Sequence, residues 1–270
     1  MTYERLMEHA EDIRREAVAV TMAMVGGDPR RRAGVEREFA DVPDAFRVLT
    51  GFPDPERIGV DEMDDVLCGL SMGDSADLAV PANPELARIA AVNAALDKWV
   101  GPAGERVRRG FVEPWPAFVR NQFAVGVVLR SALLAHREIW ARARQDADQI
   151  AEQGLAAVGA CPDCTRTEWT VTFTVVSSVA AVVAVPLGGV AALAAGGVAG
   201  VSQVVAAAGP GEGPRTSFGA DDPGEVVERV REAIGLLRGH IREQRATVAG
   251  TLRQAGQLMA DRPELFGWRR

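Results

Sequence analysis

The feature that most constrains this 270-residue chain is a run of uncharged residues over 169–211, between Glu168 and Glu212. The hydrocarbon core of a bilayer is about 30 Å thick, and a helix needs about 20 residues to cross it. The run is therefore long enough for two crossings and much longer than one crossing requires. Pro and Gly residues at 186–189 favour a turn near its middle. The sequence predicts an apolar hairpin that enters a membrane.

The two limbs of this predicted hairpin differ in composition. In the second limb Ala192, Gly196 and Gly200 are spaced four apart, a small-residue pattern that lets helices pack closely in lipid. The first limb is rich in β-branched residues over 170–176 and alternates, which favours a strand in water. A limb that is strand in water and helix in lipid would suit a conformational switch. The residues assigned to the membrane insert are Trp169, Phe173, Val175, Val182, Pro186, Gly188, Gly189, Ala192, Gly196 and Gly200.

Two other interpretations of the uncharged run stay open. A hairpin rich in Ala, Val and Gly can form the buried core of a soluble helical module that binds a protein partner. The run can also be a permanent two-span membrane anchor, in which case the protein would not be soluble without detergent. The behaviour of the protein toward lipid separates these interpretations.

Helical periodicity dominates the rest of the chain. Apolar residues recur every three or four positions over 6–24, where Gly26-Gly27 ends the pattern, and a second helix starts at Asn83-Pro84. A long helical run, interrupted near Pro114 and Pro116, then continues to about Gly159. Residues 28–80 are predicted to be loop except for a short amphipathic helix over 61–70. The apolar stripe predicted for the long run consists of Leu129, Leu133, His136, Trp140, Ala143, Ala147 and Ile150.

The last helix is predicted to start at Asp222-Pro223 and to end by Arg262-Pro263. Its apolar residues repeat every seven positions, which predicts a left-handed supercoiled contact with a partner helix. The natural partner is the helix that ends near Gly159. The residues of this heptad seam are Val227, Val230, Ile234, Leu237, Ile241 and Val248.

These patterns predict an all-α protein, an elongated antiparallel helical bundle or coiled coil with an apolar hairpin insert whose first limb can be β in the soluble form. The chain divides into an N-terminal helix with an irregular helical region (1–80), a helical hairpin with a long second helix (81–160), the insert (161–211) and the heptad helix (212–270). We expect these four segments to form one elongated structural unit.

Sequence signals for catalysis and cofactors are missing. The chain has no phosphate loop, dinucleotide fingerprint or nucleophile elbow, so we expect no enzyme, no cofactor and no small-molecule substrate. Cys161 and Cys164 form one C-x-x-C, which is half of a zinc site and permits a local disulfide, so no metal site is expected. The net charge of −7 argues against a nucleic-acid partner.

The stretch 96–103, which contains Trp99, Gly101 and Ala103, resembles the turn of the Trp-X-Gly (WXG) family of helical-hairpin proteins that type VII secretion exports. The resemblance covers about residues 84–157, and Phe111 follows at a comparable distance. It implies a turn between two antiparallel helices, in which Gly101 permits the sharp bend and Trp99 packs across the end of the hairpin. The usual export tag of the family, a Tyr followed four residues later by an acid, is missing, since Met7 follows Tyr3 at that spacing.

The order of a long helix, an apolar hairpin and a second long helix is similar in architecture to α-helical pore-forming toxins, although no motif is shared. Together these observations predict a non-enzymatic protein whose partners are a lipid membrane and either a second copy of itself or a helical protein. The first thirty residues are charged and amphipathic and lack a secretory signal. We therefore expect a membrane-associated protein that is secreted by a route without a signal peptide; a cytoplasmic location is the alternative.

Overall fold

The computed structural model describes residues 3–72, 81–96, 98–161, 169–174, 215–217 and 222–266, and it is mostly helical. The predicted all-α class is confirmed. The helices are α1 (Tyr3–Met24), α2 (Pro29–Glu38), α3 (Val42–Arg47), α4 (Val60–Leu70), α5 (Pro84–Leu96), α6 (Pro102–Val107), α7 (Trp115–Ala160) and α8 (Pro223–Asp261). The short elements are 3-10 turns at Pro55–Arg57 and Pro263–Leu265, a π turn at Arg108–Val112, and strands β1 (Thr170–Thr172) and β2 (Arg215–Ser217).

Polar caps set the starts of three helices. The side-chain oxygen of Asn83 accepts a hydrogen bond from the Glu85 N–H at 2.9 Å, and that of Asp222 accepts one from the Gly224 N–H at 2.6 Å. Asp28 caps α2 in the same way. Each cap is followed by a proline, whose missing N–H costs nothing at the first helical position. The predicted starts of α5 and α8 are confirmed.

Helices α2 and α3 correct the prediction of loop over 28–59. In this region Pro29 and Pro43 occupy the first turn of a helix instead of interrupting one. Proline breaks a helix in its interior but is favoured at its start, because its φ angle is already helical and its missing donor is not needed there. The prolines were therefore start signals, and α4 at 60–70 matches the one helix that was predicted here.

The described residues form two compact units. The first includes the described residues of 1–57, 137–179 and 210–245, and the second includes those of 58–136 and 246–270. Both long helices, α7 and α8, contribute to both units.

The first unit has its core between α1, α3, α7 and α8. Helix α1 buries the periodic face that the sequence predicts, except that Met24 at its end is exposed. Helices α7 and α8 run antiparallel in this unit: Gly154 faces Val230, while Trp140 lies under Arg245, with 5.5 Å between the guanidinium carbon and the ring centroid. All six residues of the heptad seam are buried.

The second unit contains a cluster in which Leu67 of α4 packs on Phe123 and Val127 of α7. Gly126 allows this approach, because a Cβ there would lie 2.7 Å from the Leu67 side chain. Leu129, which was predicted to lie on the apolar stripe of α7, is exposed instead. A straight helix drifts about 20° per heptad against a seven-residue repeat, so a stripe extended backward from 136–150 leaves the buried face.

Candidate functional site

Residues at the start of the uncharged run pair with residues just after its end in a small antiparallel sheet. Strand β1 pairs with β2 so that Thr170 lies opposite Ser217 and Thr172 lies opposite Arg215. Opposite residues in such a pair have Cα atoms about 4.5–5.5 Å apart. The pairing therefore brings the chain before residue 175 and the chain after residue 214 together at one place. The strand tendency predicted for the first limb is realised over 170–172.

The alternation of β1 buries one side of this sheet. Val171 and Phe173 lie on the same face, since successive strand residues point to opposite sides, and both are buried. The Phe173 ring lies 5.4 Å from the His240 ring of α8, centroid to centroid. Phe173 is one of the residues predicted to enter the membrane, but the structure places it in the interior of the first unit.

A buried carboxylate on α7 holds the chain where it leaves this sheet. Asp146 accepts the Thr174 N–H with both carboxylate oxygens, each at 3.0 Å, and it accepts the Thr174 hydroxyl at 2.8 Å. The Asp146 residue is fully buried. Hydrogen bonds to a charged acceptor are stronger than neutral ones, and a carboxylate in the interior requires them. Thr174 is thereby fixed immediately before residue 175. We call Asp146, Phe173, Thr174 and His240 the insert base.

Asp146 and Thr174 are functional candidates that the sequence reasoning missed. A signal was present: Asp146 lies among Ala143, Ala147 and Ile150, which belong to the predicted apolar stripe and are buried. A carboxylate on the apolar face of a helix needs a donor from elsewhere in the chain. The sequence does not reveal which donor, because Thr174 is far away along the chain and is one of many hydroxyl residues in its region.

The other predicted insert residues divide into two groups. Trp169 is partly buried, and its indole N–H has no hydrogen-bond acceptor among the described residues. The remaining ones lie outside the described residues: Val175, Val182, Pro186, Gly188, Gly189, Ala192, Gly196 and Gly200.

Of the two cysteines of the C-x-x-C, Cys161 is buried and its sulfur lies 3.4 Å from the Ala157 carbonyl oxygen. Cys164 lies outside the described residues, so their disulfide stays a prediction. The described residues contain no group of three or more His, Cys, Asp and Glu side chains that could hold a metal ion.

The turn between α5 and α6 contains the Trp99 and Gly101 of the Trp-X-Gly resemblance. Gly101 has a φ angle of +115°, a conformation that L side chains rarely adopt. Trp99 packs on Gly104 of α6, where an added Cβ would clash with the Trp99 carbonyl oxygen. The Arg108 guanidinium donates to the Leu96 carbonyl at 3.2 Å and so ties the end of α5 to the π turn.

One helical run among the described residues, Pro102–Ala160, is long and apolar enough to cross a membrane, and 39% of its most apolar stretch is buried. Core helices of soluble proteins meet the same criterion. Arg130 of this run makes an ion pair with Asp64 of α4, and α4 also packs on it through Leu67. The sequence pointed instead to 169–211, which lies almost wholly outside the described residues.

Comparison with protein-family models, with curated proteins and with solved structures finds no match to this chain.

Proposed function

We propose that this chain is a non-enzymatic helical protein that inserts an apolar hairpin, formed by 175–208, into a membrane. The observation that supports the proposal most is the pairing of β1 with β2. Because this sheet joins residues 170–172 to residues 215–217, the residues between the two strands can leave and return together, as a hairpin insertion requires.

The insert base, in the helical part of the protein that holds the insertion, supports the same function. Asp146 accepts a hydrogen bond from Thr174, and Phe173 packs inside the first unit against His240. The chain up to residue 174 is therefore held by contacts with the helices of that unit. An insertion anchored in this way can move as one piece while the helices that hold it stay folded. The uncharged composition of 169–211 gives that piece its affinity for lipid.

We further propose that the protein is exported by a type VII-like route and that copies of it, or a helical partner, assemble on the membrane and form a pore. The resemblance of the Trp99–Gly101 turn to the Trp-X-Gly family supports export. The order of elements, with an apolar insertion between two long helices, supports membrane assembly.

The test is flotation of detergent-free protein with neutral phosphatidylcholine vesicles at high salt, where only apolar insertion holds the protein to lipid. Gly196→Arg places a charge inside the proposed hairpin and should abolish flotation, since an arginine in the hydrocarbon core costs at least about 3 kcal/mol. The matched control is Gly235→Arg on α8, which is exposed and has open space around the new Cβ. This control should float like the parent protein.

Each alternative has its own outcome. Flotation of the Gly196→Arg variant at the parent level would overturn the proposed insertion. A parent protein that stays at the bottom would support the soluble module with a buried hairpin. A parent protein that cannot be purified without detergent would support the permanent two-span anchor.

A further inference from the structure

The turn between α5 and α6, together with the π turn that follows α6, exposes apolar side chains that the proposed insertion does not use. Val100 is 91% exposed, Trp99 is 47% exposed and Phe111 is 49% exposed. All three belong to the second unit. Isolated exposed apolar residues need no explanation, but three of them within 99–111, two aromatic, mark an interaction site.

Basic residues lie close to these apolar residues in the sequence. Lys98, Arg106 and Arg109 are exposed, and among the acids that the structure describes only Glu105 is paired with one of them, lying 2.6 Å from Arg109. Arg106 donates to the Pro102 carbonyl at 3.2 Å, which keeps its charge beside the turn. Over residues 97–113 the basic residues outnumber the acidic ones by four to three. The charged residues of this stretch are Asp97, Lys98, Glu105, Arg106, Arg108, Arg109 and Glu113.

This local charge is opposite in sign to that of the whole chain, whose net charge is −7. Basic residues next to exposed Trp and Phe side chains are the residue types that bind at the interface of an anionic bilayer. Aromatic rings lie at the level of the headgroups, aliphatic side chains enter the acyl boundary, and Lys and Arg attract anionic lipid.

The geometry of the turn favours lipid over a protein partner. Val100 lies between Lys98 and the positive-φ Gly101 with nearly all of its side chain in solvent, so it projects from the tip of the bend. A projecting tip needs a concave pocket on a protein, whereas a fluid bilayer accommodates it without one. The tip is also held in shape, because Trp99 packs on Gly104 and Arg108 binds the Leu96 carbonyl.

We infer that Trp99, Val100, Phe111, Lys98, Arg106 and Arg109 form a docking surface for a bilayer that contains anionic lipid. We call it the Trp99 surface. It binds peripherally and independently of the proposed hairpin, and it concentrates the protein on negatively charged membranes before any insertion.

The test measures partition of the full-length protein, in the Gly196→Arg background that removes insertion, between buffer and vesicles at low salt. One set of vesicles is neutral phosphatidylcholine and the other contains about one-third phosphatidylserine. We expect binding to the second set only, and release on adding salt, because each cation near an anionic surface contributes about 1 kcal/mol that salt screens.

Two pairs of variants locate the surface. Lys98→Gln with Arg106→Gln should weaken partition roughly 25-fold, about fivefold for each cation lost. Arg238→Gln with Arg253→Gln removes two exposed charges from α8 and should change it little. Val100→Glu should weaken partition at least about tenfold, since it replaces an apolar contact by a repelled charge. Its control is Val66→Glu, at an apolar residue of α4 that is 51% exposed.

Equal binding to both sets of vesicles, no binding to either set, or equal losses in the test and control variants would each overturn the Trp99 surface. None of these results affects the neutral-vesicle flotation that tests the hairpin, because that experiment is made at high salt with uncharged lipid. The two proposals therefore fail separately.

Discussion

Asp146 is a fully buried carboxylate that accepts hydrogen bonds from both the backbone N–H and the hydroxyl of Thr174. Asp146→Asn keeps the shape but turns its amide N–H₂ toward the Thr174 N–H, where one donor faces another. We expect the free energy of unfolding in urea to fall by about 2 kcal/mol, the contribution of hydrogen bonds to a charged group. Amide exchange at Thr174 should become faster in the same variant.

The control is Thr174→Val, which removes the hydroxyl and keeps the backbone N–H. It should cost about 1 kcal/mol, the share of one hydrogen bond. The two losses should not add in the double variant, because both changes remove parts of one network. Full additivity, or unchanged exchange at Thr174 in Asp146→Asn, would contradict the role assigned to this pair.

Substituting alanine for glycine should raise the free energy of unfolding at one position on the long helices and lower it at another. A Cβ at Gly154 would lie 2.7 Å from the Val230 side chain, which is stiff and buried, whereas a Cβ at Gly239 has nothing within 4 Å. Gly239→Ala should stabilise the protein by about 0.5–1 kcal/mol through helix propensity. Gly154→Ala gains the same propensity but overpacks the core, so we expect a net loss of about 1 kcal/mol. Urea unfolding of both variants checks the sign, and a stabilising Gly154→Ala would mean that α7 and α8 are not in contact there.

Among the secondary-structure elements, α1 and α7 bring charged residues together within the first unit. Arg5 lies 3.8 Å from Glu152, and the next turn places His9 near Asp148, whose Oδ1 is buried and has no hydrogen-bond partner among the described residues. Burial raises the pKa of Asp148, and the negative charge of Glu152 raises it further, although Arg5 and His9 act in the opposite direction.

The raised pKa of Asp148 predicts a pH dependence of stability. The folded protein holds the Asp148 proton more tightly than the unfolded chain does, so stability falls as pH rises from the ordinary carboxyl pKa through the raised one. Asp148→Asn should remove this loss: it should stabilise the protein at neutral pH and flatten the dependence between mildly acidic and neutral pH. Urea unfolding across this range measures it, with the exposed Asp65→Asn as control. An unchanged slope in Asp148→Asn would rule out Asp148 as the source.

Much of the fold at this scale could be predicted from local signals. Asn83 and Asp222 with their prolines define the starts of α5 and α8, and the heptad pattern identifies the residues of α8 that are buried. The sheet and the insert base could not be predicted, because β1 and β2 consist of three residues each and their pairing is a contact between distant parts of the chain. A short strand gains its stability from such a contact, which leaves no periodicity to read.

At the scale of the whole molecule, the pairing of β1 and β2 predicts that the residues between Thr174 and Arg215 can be removed without unfolding the helices. Replacing 175–214 by Asn-Gly leaves Phe173 and Thr174 in place and joins the strands by a four-residue loop, a length typical of hairpins. Shortening the loop roughly tenfold lowers its closure cost by about 2 kcal/mol. We expect a monomer whose helical content is retained and whose stability in urea is equal to or higher than that of the parent.

The control for this replacement is a deletion that also removes 170–174, and with it β1 and the bonds to Asp146. It should be less stable than the Asn-Gly variant although both lack the uncharged residues. If the Asn-Gly variant did not fold, the residues it removes would be part of the core, which would favour the soluble module with a buried hairpin.

The insert base also has a mechanical consequence. A pulling force on residues beyond 174 is borne first by the bonds between Thr174 and Asp146, and only then by β1 and β2, from the Thr172–Arg215 end. When an antiparallel pair is pulled from its loop end, its inter-strand hydrogen bonds break one after another. Such a pair separates at a lower force than a pair pulled along the strand direction, in which all the bonds are loaded together. The hydrogen bonds between Thr174 and Asp146 are therefore the first described contacts to bear a force that draws the insertion out, and they transmit it to α7.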